Sequence, residues 1–189
     1  MKNILFLAIC LSLFSCKDKE QVSKSNAISE NTKKNVVFSG DYEDLLTLEI
    51  ASKITGFEPS KARKSNPTKG MYSEILKYSC ENGREFVKEK SVSNRKRVAY
   101  PRPDFVQISF VDFEADIKSF LEFVAPETHP EVSKIEGIGE AAYWNSKNNS
   151  IEVYYKNVSF RGKVEISNDE AVNKQKTIEL ARLIIKEKL

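Results

Sequence analysis

The residues of this chain that could serve as base, nucleophile or metal ligand do not form a recognisable catalytic set. The single histidine, His129, lies between two prolines in the segment PETHPEV. A Ser-His-Asp or Cys-His site would have to recruit it, and a zinc site would need several further strong ligands. We therefore expect His129 to be a solvated loop residue, and we predict no catalytic residue, metal site or cofactor.

Cys80 and a group of acidic residues also have simple structural interpretations. Cys80 alternates with Tyr78 along a predicted strand, which is typical of a small buried side chain rather than a reactive thiol. The carboxylates of Asp112, Glu114 and Asp116 open a predicted helix, where the helix dipole favours negative charge. These residues are expected to stabilise the fold.

Four aromatic residues on two adjacent predicted strands are candidates for ligand binding. Neighbours along a strand point to opposite faces of a sheet, so one member of each pair should face the core and the other should face outward. The outward pair could form a platform for a sugar or a peptide. The four residues are Tyr143, Trp144, Tyr154 and Tyr155.

Arg95, Lys96 and Arg97 lie in the most basic region of the chain and could attract an anionic lipid or glycan. Acidic residues on both sides, such as Glu89 and Asp104, equally fit a solvated loop. The formal net charge is only +3, from 30 basic and 27 acidic residues, so a nucleic-acid partner is not expected.

The N-terminal region has the pattern of an export signal. Lys2 supplies a positive charge, and the apolar run at residues 4–14 is far shorter than the ~20 residues of a membrane-spanning helix. The segment LFSC at residues 13–16 resembles the lipobox of bacterial lipoproteins. This resemblance implies cleavage after Ser15, diacylglyceryl transfer to the sulfur of Cys16 and acylation of the new amino terminus.

Residues 17–20, KDKE, resemble the charged signal that follows the cysteine in outer-membrane lipoproteins of Bacteroidota. We therefore expect a lipid anchor in the outer membrane, on the periplasmic face or at the cell surface. The expected organisation is a signal peptide at residues 1–15, a lipidated cysteine with a flexible tether at 16–39, and a single domain at 40–189.

Hydrophobic spacing in residues 40–189 predicts an α+β fold, with a mostly antiparallel sheet and helices packed on one face. The expected order is helix, strands, helix, three-strand meander and C-terminal helix. Thr47 and Gly56 should bound the first helix, Asn82-Gly83 should turn a hairpin, and Asn168 should cap the last helix.

Several segments resemble uncharacterised bacterial lipoproteins. IEGIGEAAYW at residues 135–144 is similar to their segment GIGDEAYW, DLLTLEIASKITG at 44–56 is similar to their opening helix, and Ser79-Cys80 is similar to their later Ser-Cys. In those proteins an earlier cysteine looks suited to pair with the later one, but this chain has Glu43 or a neighbour there. The resemblance carries over no catalytic residue.

The sequence thus predicts a lipid-anchored cell-envelope protein with a non-enzymatic binding or accessory domain, whose partner is an envelope protein or an anionic glycan or lipid. The alternative is an enzyme that processes envelope or extracellular polymers. A concave pocket with convergent polar groups would favour the enzyme, whereas an exposed aromatic patch would favour the binding domain.

Overall fold

The computed structural model describes residues 41–66, 74–88 and 98–189. Within these ranges the chain forms four helices and nine strands. In chain order they are α1 (Tyr42–Leu45), α2 (Leu48–Thr55), β1 (Arg63–Ser65), β2 (Ile75–Cys80), β3 (Glu85–Lys88), β4 (Val98–Pro101), β5 (Asp104–Asp112), α3 (Ile117–Val124), β6 (Val132–Lys134), β7 (Ala141–Asn145), β8 (Ser150–Tyr155), β9 (Val158–Glu165) and α4 (Glu170–Lys188).

Seven of these strands form one antiparallel sheet in the order β1-β2-β5-β9-β8-β7-β6, and β3 pairs with β4 in a separate two-stranded ribbon. The α+β class and the antiparallel sheet are therefore confirmed. The meander of β7, β8 and β9 also forms as predicted. Lys156 and Asn157 turn β8 into β9 with φ values of 47° and 62°, as a tight two-residue hairpin requires.

The main core lies between one face of the sheet and the helices α1, α2 and α4. Ile151, Val153 and Phe160 of the sheet pack there with Leu180 and Ile184 of α4, and all five are at most 1% exposed. These three helices share one face, as expected from the sequence.

Helix α3 lies on the opposite face, so the expectation of helices on a single face does not hold for it. Its Phe120 ring lies 6.2 Å from the Tyr143 ring and 5.7 Å from the Tyr154 ring, measured between centroids. Ala142 and Val153, which neighbour these tyrosines in sequence, belong to the main core. Strand alternation therefore gives the sheet two apolar faces and a second, smaller core beneath α3.

The helix boundaries follow the capping residues. Thr47 Oγ accepts a hydrogen bond from the Ile50 N–H at 3.2 Å, and Gly56 ends α2 in the left-handed conformation, both as predicted. The cap of α4 is Asp169 rather than Asn168, and its carboxylate accepts from the Ala171 N–H at 2.8 Å. The sequence therefore located α4 to within one residue.

The predicted hairpin through Asn82-Gly83 is wrong. Strand β2 pairs with β1 and β5, whereas β3 leaves the sheet and pairs with β4. The side chain of Arg84, directly after the turn, reaches back to Asp104 and to the end of β9. These contacts accompany the change of direction at residue 84, after which β3 pairs with β4 and not with β2.

The turn before β7 requires glycine at one position. Gly139 has φ of 56°, and a Cβ atom there would lie 2.6 Å from the carbonyl oxygen of Tyr154. The next residue, Glu140, donates its N–H to the same oxygen at 3.0 Å. The second glycine of the segment IEGIGEAAYW therefore lets the turn approach the end of β8.

Candidate ligand-binding cavity

A cavity of about 420 Å³ lies between α3 and the sheet face that α3 covers. Three phenylalanine rings, Phe110, Phe120 and Phe123, contribute its apolar wall. The other lining residues come from α1, β5, α3, β8 and β9, from the segment before β2 and from the segment between β5 and α3. They are Tyr42, Glu74, Val111, Asp112, Ala115, Ser119, Glu152, Ser159 and Phe160. Its size and mixed lining are typical of a small-molecule site.

Glu152, which lines this cavity, forms a charge pair with Arg161. They are direct partners across β8 and β9, and the Arg161 Nε contacts Glu152 Oε1. The Glu152 side chain is 6% exposed and that of Arg161 is 22% exposed. Burial raises the pKa of the Glu152 carboxyl, and the neighbouring guanidinium opposes that shift.

The Arg161 guanidinium also lies against two of the aromatic rings. Its central carbon is 4.3 Å from the Phe110 ring centroid and 5.6 Å from that of Phe123. The two rings are 5.9 Å apart. Cation–π attraction and the Glu152 carboxylate together hold this cation in place.

A bulge in β5 positions Phe110 on this face. The pairing of β5 with β9 shifts between Ser109 and Asp112, and Phe110 has φ of 54°. Regular alternation would point Phe110 toward the main core, as it does Ile108. A left-handed conformation is costly for a bulky residue, and such conformations concentrate at functional sites.

Tyr42 is another residue of the cavity lining, and its hydroxyl oxygen already accepts one hydrogen bond. The Val111 N–H donates to the Tyr42 hydroxyl oxygen at 3.1 Å. Burial raises the pKa of Tyr42, and the charge of Glu74 adds to that shift. The neutral phenol can therefore donate its own proton to a further acceptor.

This arrangement is suited to binding rather than to nucleophilic catalysis. The hydroxyl of Ser119 donates to Asp116 Oδ2 at 2.7 Å, so it is engaged in the cap of α3. The described lining residues include no histidine, lysine or cysteine that could activate Ser119 or Ser159. Glu152, although buried, is held by Arg161.

The four aromatic residues predicted as a binding platform lie on both faces of the sheet. Tyr143 and Tyr154 contact Phe120, whereas Trp144 belongs to the main core and Lys174 of α4 lies 5.3 Å from its ring centroid. Trp144 and Tyr154 are buried, and Tyr143 and Tyr155 are half-buried. The structure therefore does not form the outward-facing aromatic platform that the sequence suggested.

The other sequence candidates are placed as follows. His129 is an exposed residue whose Nδ1 lies 3.6 Å from Glu131 Oε1. Cys80 is only half-buried, unlike the buried side chain predicted for it. Asp116 caps α3, but Asp112 and Glu114 precede the helix instead of opening it.

Cys16 and the basic group of Arg95, Lys96 and Arg97 lie outside the described residues. The lipidation prediction and the anionic-partner prediction therefore stay predictions. Within residues 41–66, 74–88 and 98–189, no group of three or more His, Cys, Asp and Glu side chains could hold a metal ion.

Sequence reasoning missed the pair that defines the cavity, although a signal for it exists. Glu152 interrupts an otherwise apolar strand, IEVYY, and the turn at Lys156-Asn157 sets the register of the following strand. That register places Arg161 directly opposite Glu152. A charged pair inside an apolar meander is therefore the sequence signal that could have drawn attention to this part of the sheet.

Comparison with known protein families, with curated proteins and with solved structures finds no match for this chain. Among the helices that the structure describes, none combines the length and the apolar character needed to cross a membrane.

Proposed function

We propose that this chain is a lipid-anchored cell-envelope protein whose α+β domain binds a small ligand with an apolar body in the cavity beneath α3. The proposal is based on the cavity itself, whose lining combines three phenylalanine rings with the buried carboxylate of Glu152, the partner of Arg161. The lipobox-like segment at Cys16 supports the anchor.

Burial and strain at the site support a binding role. Phe123 is 54% exposed at the cavity, although phenylalanine normally avoids water. Phe110, which lines the same space, has a left-handed backbone conformation that is costly for a bulky residue. A ligand with an apolar body would cover the exposed ring surface and gain about 25 cal/mol for each Å² of apolar area removed from water.

Filling the cavity should abolish ligand binding. Ser159 lies on β9 within the cavity lining, so Ser159→Trp should place an indole in the ligand's space. We expect the neutral dye N-phenyl-1-naphthylamine to bind the full chain with a rise in fluorescence, and we expect Ser159→Trp to weaken that binding at least tenfold, on the order of 1.4 kcal/mol.

The matched control is Ser133→Trp, which introduces the same indole at an exposed position of β6. Circular dichroism should show that both variants are folded. Equal dye binding by the wild type and Ser159→Trp would contradict the assignment of the cavity as the binding site.

The anchor is tested separately by Cys16→Ala. We expect the wild-type protein to fractionate with membranes and to incorporate labelled fatty acid, because two or more acyl chains give stable attachment. The variant should do neither. Membrane fractionation of Cys16→Ala, together with no label in the wild type, would show that the lipoprotein proposal is wrong.

The cavity also contains one group that the alternative function, a polymer-processing enzyme, could use. A buried carboxyl with a raised pKa, such as Glu152, is a usual feature of a general acid. Arg161, however, lies directly against this carboxyl and favours its charged form. The binding function therefore agrees better with the geometry.

A further inference from the structure

The charge of the cavity lining indicates the charge of the ligand, and this inference rests on the binding function proposed above. Among the described residues that line the cavity, three are carboxylates and none is a lysine, arginine or histidine. The carboxylates are Glu74, Asp112 and Glu152. The charged side chains among these described lining residues are therefore all negative.

The positive charge of Arg161 compensates only one of these three carboxylates, that of Glu152. Its guanidinium contacts Glu152, and it lies against the Phe110 and Phe123 rings rather than in the cavity lining. Among the described residues, no cation forms an ion pair with Glu74 or Asp112, so both contribute negative charge at the cavity. Glu74 is half-buried and Asp112 is exposed, so their field acts on a ligand that enters from solvent.

The aromatic wall favours the same class of ligand. Phenylalanine faces carry negative electrostatic potential and attract cations that lie within about 6 Å of the ring centroid. Arg161 already lies against the Phe110 and Phe123 rings, so a ligand cation is expected on the side of Glu74 and Asp112 rather than on these two rings. The rings also supply the apolar surface that an alkyl or aryl body would cover.

We propose that the cavity binds a small organic cation, an ammonium group attached to an apolar alkyl or aryl body. The ammonium group lies toward Glu74 and Asp112, and the apolar body lies against Phe120 and Phe123. A neutral analogue loses the attraction of the carboxylates, and an anionic analogue is repelled by them.

Competition among three probes of equal chain length tests this proposal. Hexylamine, which is protonated at pH 7, hexan-1-ol and hexanoate would each be titrated against the dye N-phenyl-1-naphthylamine bound to the full chain. We expect hexylamine to displace the dye at a concentration about tenfold lower than hexan-1-ol, with hexanoate the weakest competitor.

The double variant Glu74→Gln/Asp112→Asn should reduce the preference for hexylamine over hexan-1-ol to about threefold or less, while the dye still binds. Glu114→Gln is the matched control, because Glu114 is an exposed carboxylate near Asp112 that does not line the cavity. This control should keep the full preference.

The outcomes separate the ligand class from the binding function. If the dye binds and Ser159→Trp abolishes its binding, but hexan-1-ol or hexanoate competes as well as hexylamine, the cation proposal is overturned and the binding function stands. Dye binding with no competition by hexylamine also overturns it. If the dye does not bind the wild-type chain, both proposals fail together.

Discussion

Replacing Glu152 by alanine is expected to lower the free energy of unfolding by about 3 kcal/mol, because the change leaves the Arg161 charge without its carboxylate partner. Arg161 is only 22% exposed and lies against two aromatic rings, so water can replace the lost partner only in part. Urea unfolding of the full chain, followed by circular dichroism, measures the change.

A double variant separates the value of the pair from the cost of one unpaired charge. Glu152→Leu/Arg161→Met removes both charges and should recover most of the lost stability, because apolar side chains of similar size can replace a buried pair. Glu136→Ala, which breaks an exposed pair with Lys134, should cause no measurable change. A loss below 1 kcal/mol in Glu152→Ala would mean that water solvates Arg161 adequately in the folded protein.

Replacing Arg84 by methionine is expected to cost about 4 kcal/mol, which is the largest effect of a single substitution that we predict. The Arg84 side chain is 9% exposed, and its Nε donates to Asp104 Oδ1 at 2.6 Å. It also donates to the Asn168 side chain at 3.1 Å and to three backbone carbonyl oxygens, those of Pro103, Glu165 and Ser167.

These contacts join the β3–β4 ribbon to the end of β9 and the start of α4. The Arg102 N–H donates to the carbonyl oxygen of Arg84, and Asn168 Nδ2 donates to that of Glu85. Loss of Arg84 should therefore also release the ribbon, which limited proteolysis would detect as new cleavage near residues 84–102.

Arg63→Met is the control for this prediction, because Arg63 forms an exposed pair with Glu81 at 3.2 Å. We expect it to retain wild-type stability. If Arg84→Met unfolds at the same urea concentration as Arg63→Met, the Arg84 contacts do not stabilise the domain.

Local signals in the sequence were sufficient for the regular parts of the fold. Thr47 and Gly56 define α2 through capping and a left-handed end, and both effects depend only on nearby residues. The position of α3 could not be read in the same way. Its apolar residues fit a helical face, but Ile117 and Leu121 stay 42% and 37% exposed because the sheet accepts only Phe120 and Val124.

The candidate site was harder to predict because it depends on non-local geometry. The pairing of Glu152 with Arg161 follows from a two-residue turn and could have been derived from the sequence. The placement of Phe110 could not, because a bulge reverses the face that strand alternation assigns to it. The predicted hairpin at Asn82-Gly83 failed for a similar reason. The strand after it pairs with β4, and Arg84 contacts residues about 80 positions away in the sequence.

If the cavity beneath α3 is the ligand site, amide chemical-shift mapping with the neutral dye N-phenyl-1-naphthylamine should locate binding there, and this test does not depend on the charge of the natural ligand. We predict saturable shifts at Phe110, Val111, Glu152 and Ser159 in the labelled full chain, and their loss in Ser159→Trp. Saturable shifts confined to the outer face of α3 around Ile117 and Leu121, or no saturable shifts at all, would contradict this prediction.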